Sequence, residues 1–162
     1  MDYATFKTTI ANLMVTPEDN PDFVQIFPSI IDYAEGRCYQ DLDLLSEIVT
    51  DDTATLAPDT RTLTLPVPAA GTYNVVSQVN LLENGSRVPL TAVSRDVLDF
   101  MWSSATAAES STRPVMFAVR DATTLAFGPA SGETISVEIV GQVKPTPLSE
   151  TNTETYLTRQ LP

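Results

Sequence analysis

The chain has 162 residues, enough to bury a real core in one domain with two unequal parts, and its 43% hydrophobic share is ordinary for a globular protein. Its 21 acidic side chains against 9 basic ones give a net charge of −12, which argues against sequence-reading contacts with nucleic acid. With no histidine and a single cysteine, imidazole-based triads and metal sites and an internal disulfide framework are excluded, and no run approaches the ~20 apolar residues of a membrane-spanning helix.

The opening MDYATFKTTIANLM has no charged leader followed by an apolar block, so no signal peptide is read there, and a cytosol or a particle assembled in one is the expected location. Asp2 is expected to cap a helix whose Tyr3, Phe6, Ile10, Leu13 and Met14 share a face, ended by Thr16-Pro17. PEDNPDF is turn chemistry, with Asn20-Pro21 as its opener. The stretch Phe27 to Leu45, FPSIIDYAEGRCYQDLDLL, then carries the clearest helical signal. Phe27, Ile31, Ala34, Cys38, Leu42 and Leu45 recur at steps of three and four, which predicts one buried stripe. Pro28 suits the first turn, Cys38 reads as a small buried hydrophobe, and Asp32, Glu35, Gly36, Gln40 and Asp43 are expected on the wet side. Arg37 and Asp41 stand four apart with the cation N-terminal, the weaker order for such a pair.

After Leu45 the period changes to two. SEIVTDDTATLAP reads as a strand pair or one bent strand with Asp51-Asp52 at a turn or bulge, and Pro58-Asp59 turns into RTLTLPV, whose Leu63, Leu65 and Val67 share a face. A turn at Gly71 leads into TYNVVSQVNLL, Asn84-Gly85 is a strong hairpin signal, and Pro89 in the return strand places that strand at an edge. Ser94 caps a short helix with Val97, Leu98, Met101 and Trp102 inside, followed by a small, polar loop from Ser103 to Thr112. VMFAVR and TTLAFG form a hairpin around Asp121-Ala122. Thr134 to Val143 is expected to put Ile135, Val137 and Ile139 inward and Ser136, Glu138 and Gln142 on a wet face. Thr151 or Asn152 is expected to cap a final helix through Tyr156 and Leu157.

Little of this points to chemistry. The carboxylate pairs Asp41/Asp43, Asp51/Asp52 and Asp96/Asp99 lie outside any calcium-type loop, and solvated or capping charge accounts for them. No glycine-rich phosphate loop is present, and the basic residues are scattered without aromatic interleaving. The charge is uneven: residues 1–58 hold 11 acids and 2 bases (net −9), and residues 59–162 hold 10 and 7 (net −3).

In order and spacing these parts resemble the head-tail adaptor (connector) proteins of tailed phages. The landmarks are FPSIIDYAEGRCYQDLDLL with its Ala34-Glu35 pair, TLTLP, RPVMFAVRDATTLAFGP, and PLSETNTETYLTRQLP with its Leu148-Ser149 pair. The resemblance implies a virion structural role without catalysis: a homo-oligomeric ring, commonly dodecameric, that joins the portal protein to a tail or nozzle protein and leaves a channel for DNA. Members of that family continue past the equivalent of Pro162 into further docking helices, so the final helix, with Tyr156, Leu157 and Leu161, is expected to be incomplete.

The expected fold is α+β, with residues 1–45 and 147–162 forming a helical part packed with a small antiparallel β-sandwich or barrel, residues 46–146, that carries a short helix near 94–102. The expected function is a phage head-tail adaptor in the virion, assembled in the host cytoplasm, with no enzyme activity, metal, cofactor or membrane contact. Partner contacts are expected at Asn84, Gly85, Tyr156 and Leu157, and copies of such net charge are expected to meet through apolar contacts or strand pairing. Its acids are expected toward the channel or solvent, with Arg61, Arg87, Arg95 and Arg113 away from the channel wall. The alternative is an accessory virion β-domain that binds a host surface or glycan through aromatics clustered at a sheet edge or in loops; an enzyme acting through carboxylates ranks third.

Overall fold

A computed structural model of the chain describes residues 1–42, 47–104, 106 and 112–160, and divides it into two units, Met1–Glu47 with Lys144–Pro162, and Ile48–Val143. In the first unit, α1 (Tyr3–Leu13) is capped by Asp2, whose Oδ1 accepts from the Thr5 N–H at 2.8 Å. Tyr3 and Ala11 are buried, and Phe6 and Ile10 pack partly buried beside them. Leu13 and Met14, expected on the same inner face, are 74% and 56% exposed.

The long helix, α2 (Pro21–Asp41), begins six residues earlier than the sequence pattern indicates. Asn20-Pro21 is the cap and first helical residue: Asn20 Oδ1 accepts from the N–H groups of Asp22 (3.0 Å) and Phe23 (3.2 Å), and Pro21 needs no N–H at that position. Pro28 therefore lies inside the helix, on its exposed side, where the carbonyl it leaves unbonded can meet water. The buried line is Phe23, Phe27, Ile31, Glu35 and Tyr39, a strict i, i+4 ladder. Ala34, Cys38 and Leu42 are exposed, which corrects the expected stripe, and Asp43 and Leu45 fall outside the described residues. Steps of four drift around the helix by ~40° each, so the ladder leaves the side of Ala34 and Cys38 as it advances toward Tyr39.

Glu35, expected in solvent, is the polar centre of this unit. Its Oε2 accepts from the Leu148 N–H and its Oε1 from the Thr155 hydroxyl, each at 2.8 Å, and the residue is 8% exposed. The segment it holds is folded on itself, with Asn152 Nδ2 donating to the carbonyls of Thr146 (2.7 Å) and Pro147 (3.2 Å). Those bonds place Asn152 in a turn, so the last helix, α4 (Tyr156–Gln160), starts after Thr155 and is not capped by Thr151 or Asn152. The Thr155 N–H donates to Thr158 Oγ1 instead, at 2.9 Å. Chain start and return segment also meet directly, through Tyr3 N–H to Thr153 O at 2.9 Å and the Met1 amine to Thr158 O at 2.8 Å.

The second unit is two four-stranded sheets. One has the order β1 (Ile48–Leu56), β8 (Ile135–Pro145), β3 (Gly71–Glu83), β4 (Ser86–Pro89); the other is β2 (Thr62–Thr64), β7 (Thr124–Gly128), β6 (Met116–Asp121), β5 (Thr91–Ala92). SEIVTDDTATLAP gives one strand, with its register shift at Asp51–Ala54, so the aspartates mark a bulge. Inward residues of both sheets, among them Leu56, Val79, Leu81, Leu125, Phe127, Val137 and Ile139, form one fully buried cluster. The sheets do not close, which makes this a sandwich and not a barrel. The expected antiparallel pattern also has an exception, since β5 pairs parallel with β6. α3 (Arg95–Met101) supplies the crossover that a parallel pair requires. Ser94 caps it, but only Leu98 of its expected inner face is fully buried; Val97 and Met101 are about half exposed. The β6–β7 turn sits at Ala122-Thr123, one residue later than expected, because Asp121 Oδ1 holds the Thr123 N–H and hydroxyl. Val67 is exposed beyond β2.

Replacing Glu35 with alanine leaves the Leu148 N–H and the Thr155 hydroxyl buried without an acceptor, at about 1–3 kcal/mol for each group. We expect Glu35→Ala to lower the melting temperature clearly and to speed amide exchange at Leu148, while Glu35→Gln, which keeps one carbonyl oxygen, loses less. Wild-type melting in Glu35→Ala would contradict the assignment of Glu35 as the tie between α2 and the return segment.

Candidate functional site

No cluster of metal-ligating side chains occurs among the described residues, and Asp41, Asp51, Asp96 and Asp99 of the carboxylate pairs have local structural partners or positions, while Asp43 falls outside the described residues. Asp51 Oδ1 accepts from the Thr53 N–H (2.9 Å) and hydroxyl (2.7 Å) at the bulge. Asp96 lies in the first turn of α3, where a negative charge is favoured, and Asp99 pairs with Arg61 at 3.3 Å and Arg95 at 3.5 Å. Asp41 pairs with Arg37 across an exposed 3.5 Å contact.

The residues expected to meet partners lie in both units. Asn84 and Gly85 form the two-residue tip between β3 and β4, with φ of 49° and 78°, the left-handed geometry such a turn requires. Both are exposed. Pro89 lies at the sheet's edge, as expected, because β4 ends the strand order. Tyr156 is 43% exposed on α4, whereas Leu157 beside it is 9% exposed and belongs to its own unit's interior. The two tip residues are thus together, as are the two on α4, with one pair in each unit. In the helical unit, Phe6, Ile10, Ile30, Ala34 and Cys38 line an open apolar groove of about 250 Å³.

Counted by unit, the helical one carries 11 acids and 4 bases (net −7) and the sandwich 10 and 5 (net −5). Asp2, Glu18, Asp19, Asp22, Asp32 and Asp41 are exposed. Arg61, Arg87, Arg95 and Arg113 are each engaged with carboxylates. Arg61 also donates to Phe127 O at 2.9 Å and to the Trp102 carbonyl, and Arg113 bridges Glu83 and Glu133.

Beneath the hairpin, Glu138 is 3% exposed, although strand alternation places it on a wet face. Asn80 Nδ2 donates to its Oε1 at 2.8 Å, and Arg87 reaches both carboxylate oxygens at 2.8 Å. These partners, Asn80 first and then Arg87, hold its pKa below the ordinary value of 4.5. Nearby, the Tyr73 ring lies over Gly141, where a Cβ would come within 2.9 Å of the ring and 2.4 Å of the Val75 carbonyl. Burial, with help from Asp51, pushes the Tyr73 phenol up to about 12. No local signal in the sequence marks Glu35 or Glu138 as buried.

A lowered folded-state pKa makes Glu138 a source of stability above the ordinary glutamate range, and that stability is lost as pH falls through the lowered value. We expect Glu138→Gln to melt below wild type at neutral pH, with the gap narrowing as the pH drops below 4.5. A gap that stays constant down to acid pH would refute the charged pairing with Arg87.

The SU10 adaptor protein family matches residues 1–162. No curated protein matches the chain. The family covers both units in one continuous match and agrees with the resemblance carried by the Ala34-Glu35 helix and the Leu148-Ser149 segment. The chain belongs to the SU10 adaptor protein family, a phage adaptor family.

Proposed function

We propose that this chain is the head-tail adaptor of a tailed phage virion, present as a homo-oligomeric ring, commonly dodecameric in such adaptors, that joins the portal to a tail or nozzle protein and lets DNA pass. The family match over the full chain carries this reading. The charge arrangement supports it. DNA is held mainly by cations that displace its counterions, and here Arg61, Arg87, Arg95 and Arg113 are occupied by carboxylates while most of the helical unit's acids are exposed. A channel wall made from such a surface offers the duplex no strong phosphate contact, so DNA slides instead of binding. The Asn84-Gly85 tip and Tyr156 are the exposed members of the expected contact residues, and the tip is the natural reach toward a neighbour or a tail protein.

The glycan-binding alternative called for aromatics clustered at a sheet edge or in loops. The large exposed aromatics among the described residues are Tyr33, Phe100 and Tyr156, all on helices, and they give that reading no support.

The test is a virion reconstruction in which this protein is located. A closed ring on the portal–tail axis, with carboxylates of the helical unit on the channel wall, is the expected result. Density off that axis, or a channel wall lined by Arg61, Arg87, Arg95 and Arg113, would overturn the proposal. Since each copy carries −12, ring assembly is also expected to strengthen as salt rises from ~10 mM toward ~150 mM; assembly that weakens over that range would show that attraction between opposite charges holds the copies together.

A further inference from the structure

The strand β3 runs from Gly71 to Glu83, but its outer neighbour β4 pairs only with Asn80 to Glu83. The chain then leaves for the other sheet, where Thr91 and Ala92 pair with β6. With β8 on its inner side, the first eight residues of β3, Gly71 to Gln78, have no outer strand among the described residues and form an open sheet edge. Thr72, Asn74, Val75, Ser77 and Gln78 are exposed. About half of the backbone N–H and C=O groups along such a run point away from the sheet and need water or another strand.

Proteins usually blunt an open edge with charge, proline, a bulge or shortness. The other edges here follow that rule. β2 and β5 have three and two residues; β4 has four, with Arg87 and Pro89; β1 has a bulge beside Asp51 and Asp52. Gly71 to Gln78 is eight residues long with no charge and no proline, and it carries Tyr73, Val75 and Val76 in a strand-favouring run. In a chain of net charge −12, these eight residues add no charge of their own against an approaching copy.

We propose that Gly71–Gln78 of β3 is a strand-addition site for β1 of a neighbouring copy, so that the sheet β1-β8-β3-β4 continues from subunit to subunit. β1 is the occupant because, among the described strands, it is the other long sheet border. It lies at the opposite end of the same sheet, and its first half, Ile48 to Asp51, precedes the bulge. Joining opposite ends of one sheet is a contact between unlike surfaces, the kind that propagates around an axis and closes a ring. Main-chain bonds supply the affinity, as in other strand-addition interfaces. The bulge confines pairing to the Ile48–Asp51 half of β1, where Ile48 is 54% exposed. This inference rests on the ring reading above and names the surface that forms it.

Cross-strand neighbours approach to about 5 Å between Cβ atoms, close enough for a disulfide once the strands adjust. The test uses virions assembled with paired cysteines on a Cys38→Ser background. Thr50→Cys with Val75→Cys, and Val49→Cys with Asn74→Cys, together sample both faces of the strands. After oxidation, at least one pair is expected to give a ladder of covalent multimers under denaturing, non-reducing conditions, while single cysteines give none beyond dimers. A ring on the axis with no ladder from either pair overturns the strand contact and leaves the adaptor reading intact. Absence of a ring overturns both. As a second measurement, Val75→Lys, at a half-exposed position, is expected to leave the melting of the isolated protein unchanged and to reduce incorporation into virions about tenfold. Normal incorporation of that variant would also overturn the strand contact.

Discussion

The helical unit depends on one buried carboxylate. Its chain leaves at Glu47 and comes back at Lys144, so α1 and α2 must hold a returning segment that no turn or short loop brings to them. Glu35 does this with both oxygens, accepting from Leu148 and Thr155, 113 and 120 residues away in sequence. Bonds to a charged acceptor are worth about 1.5–3 kcal/mol net, more than neutral ones. Around them the aromatic cluster is ordered: Phe27 lies 4.9 Å from Phe23, 5.9 Å from Tyr3 and 6.1 Å from Phe6 between ring centroids, and Leu148 packs into the same group. The apolar contacts give most of the stability; the carboxylate selects which backbone is allowed beside them.

Glu138 plays the matching part in the sandwich. Asn80 on β3 and Arg87 on β4 converge on it from the hairpin, so the register of β4, the geometry of the Asn84-Gly85 tip and the position of β8 are specified by one cluster. Arg113, between Glu83 and Glu133, ties the hairpin's base a second time. Most of the protein's few cations are consumed in such internal pairs. With most of its arginines paired to its own carboxylates, the protein shows the solvent chiefly carboxylates and neutral backbone.

What could be read from the sequence was local. Asp2 and Ser94 as caps, Asn84-Gly85 as a primed turn and Pro89 as an edge residue each depend on a few neighbouring backbone groups, and all four occur as expected. Asn20-Pro21 failed because the same dipeptide serves equally as a turn opener or as cap and first helical residue, and the aromatic Phe23 two residues later decides between them through packing. The burial of Glu35 and Glu138 was illegible for a different reason. Periodicity assigns a charged residue to the wet face, and only partners remote in sequence, Thr155 for one and Arg87 for the other, reverse that assignment. The parallel β5–β6 pair was hidden because two residues carry too little pattern to register as a strand.

An adaptor must satisfy two opposed electrostatic demands. In the proposed ring, the channel has to let a polyanion move, which favours exposed acids, yet copies that share those acids repel one another on approach. At physiological salt the repulsion extends roughly 8 Å, whereas backbone hydrogen bonds act only at about 2.9 Å. A contact made at a stretch without charge escapes most of the repulsion, and one made by main-chain groups needs no cation on either side. The start of β3 is uncharged and open among the described strands, and Gly141, lacking a side chain, leaves room for the Tyr73 ring beside it. On the proposed ring and strand contact, acidic surface and neutral edge are parts of one arrangement: attraction is moved from side chains to backbone, which leaves the side chains free to keep DNA from binding.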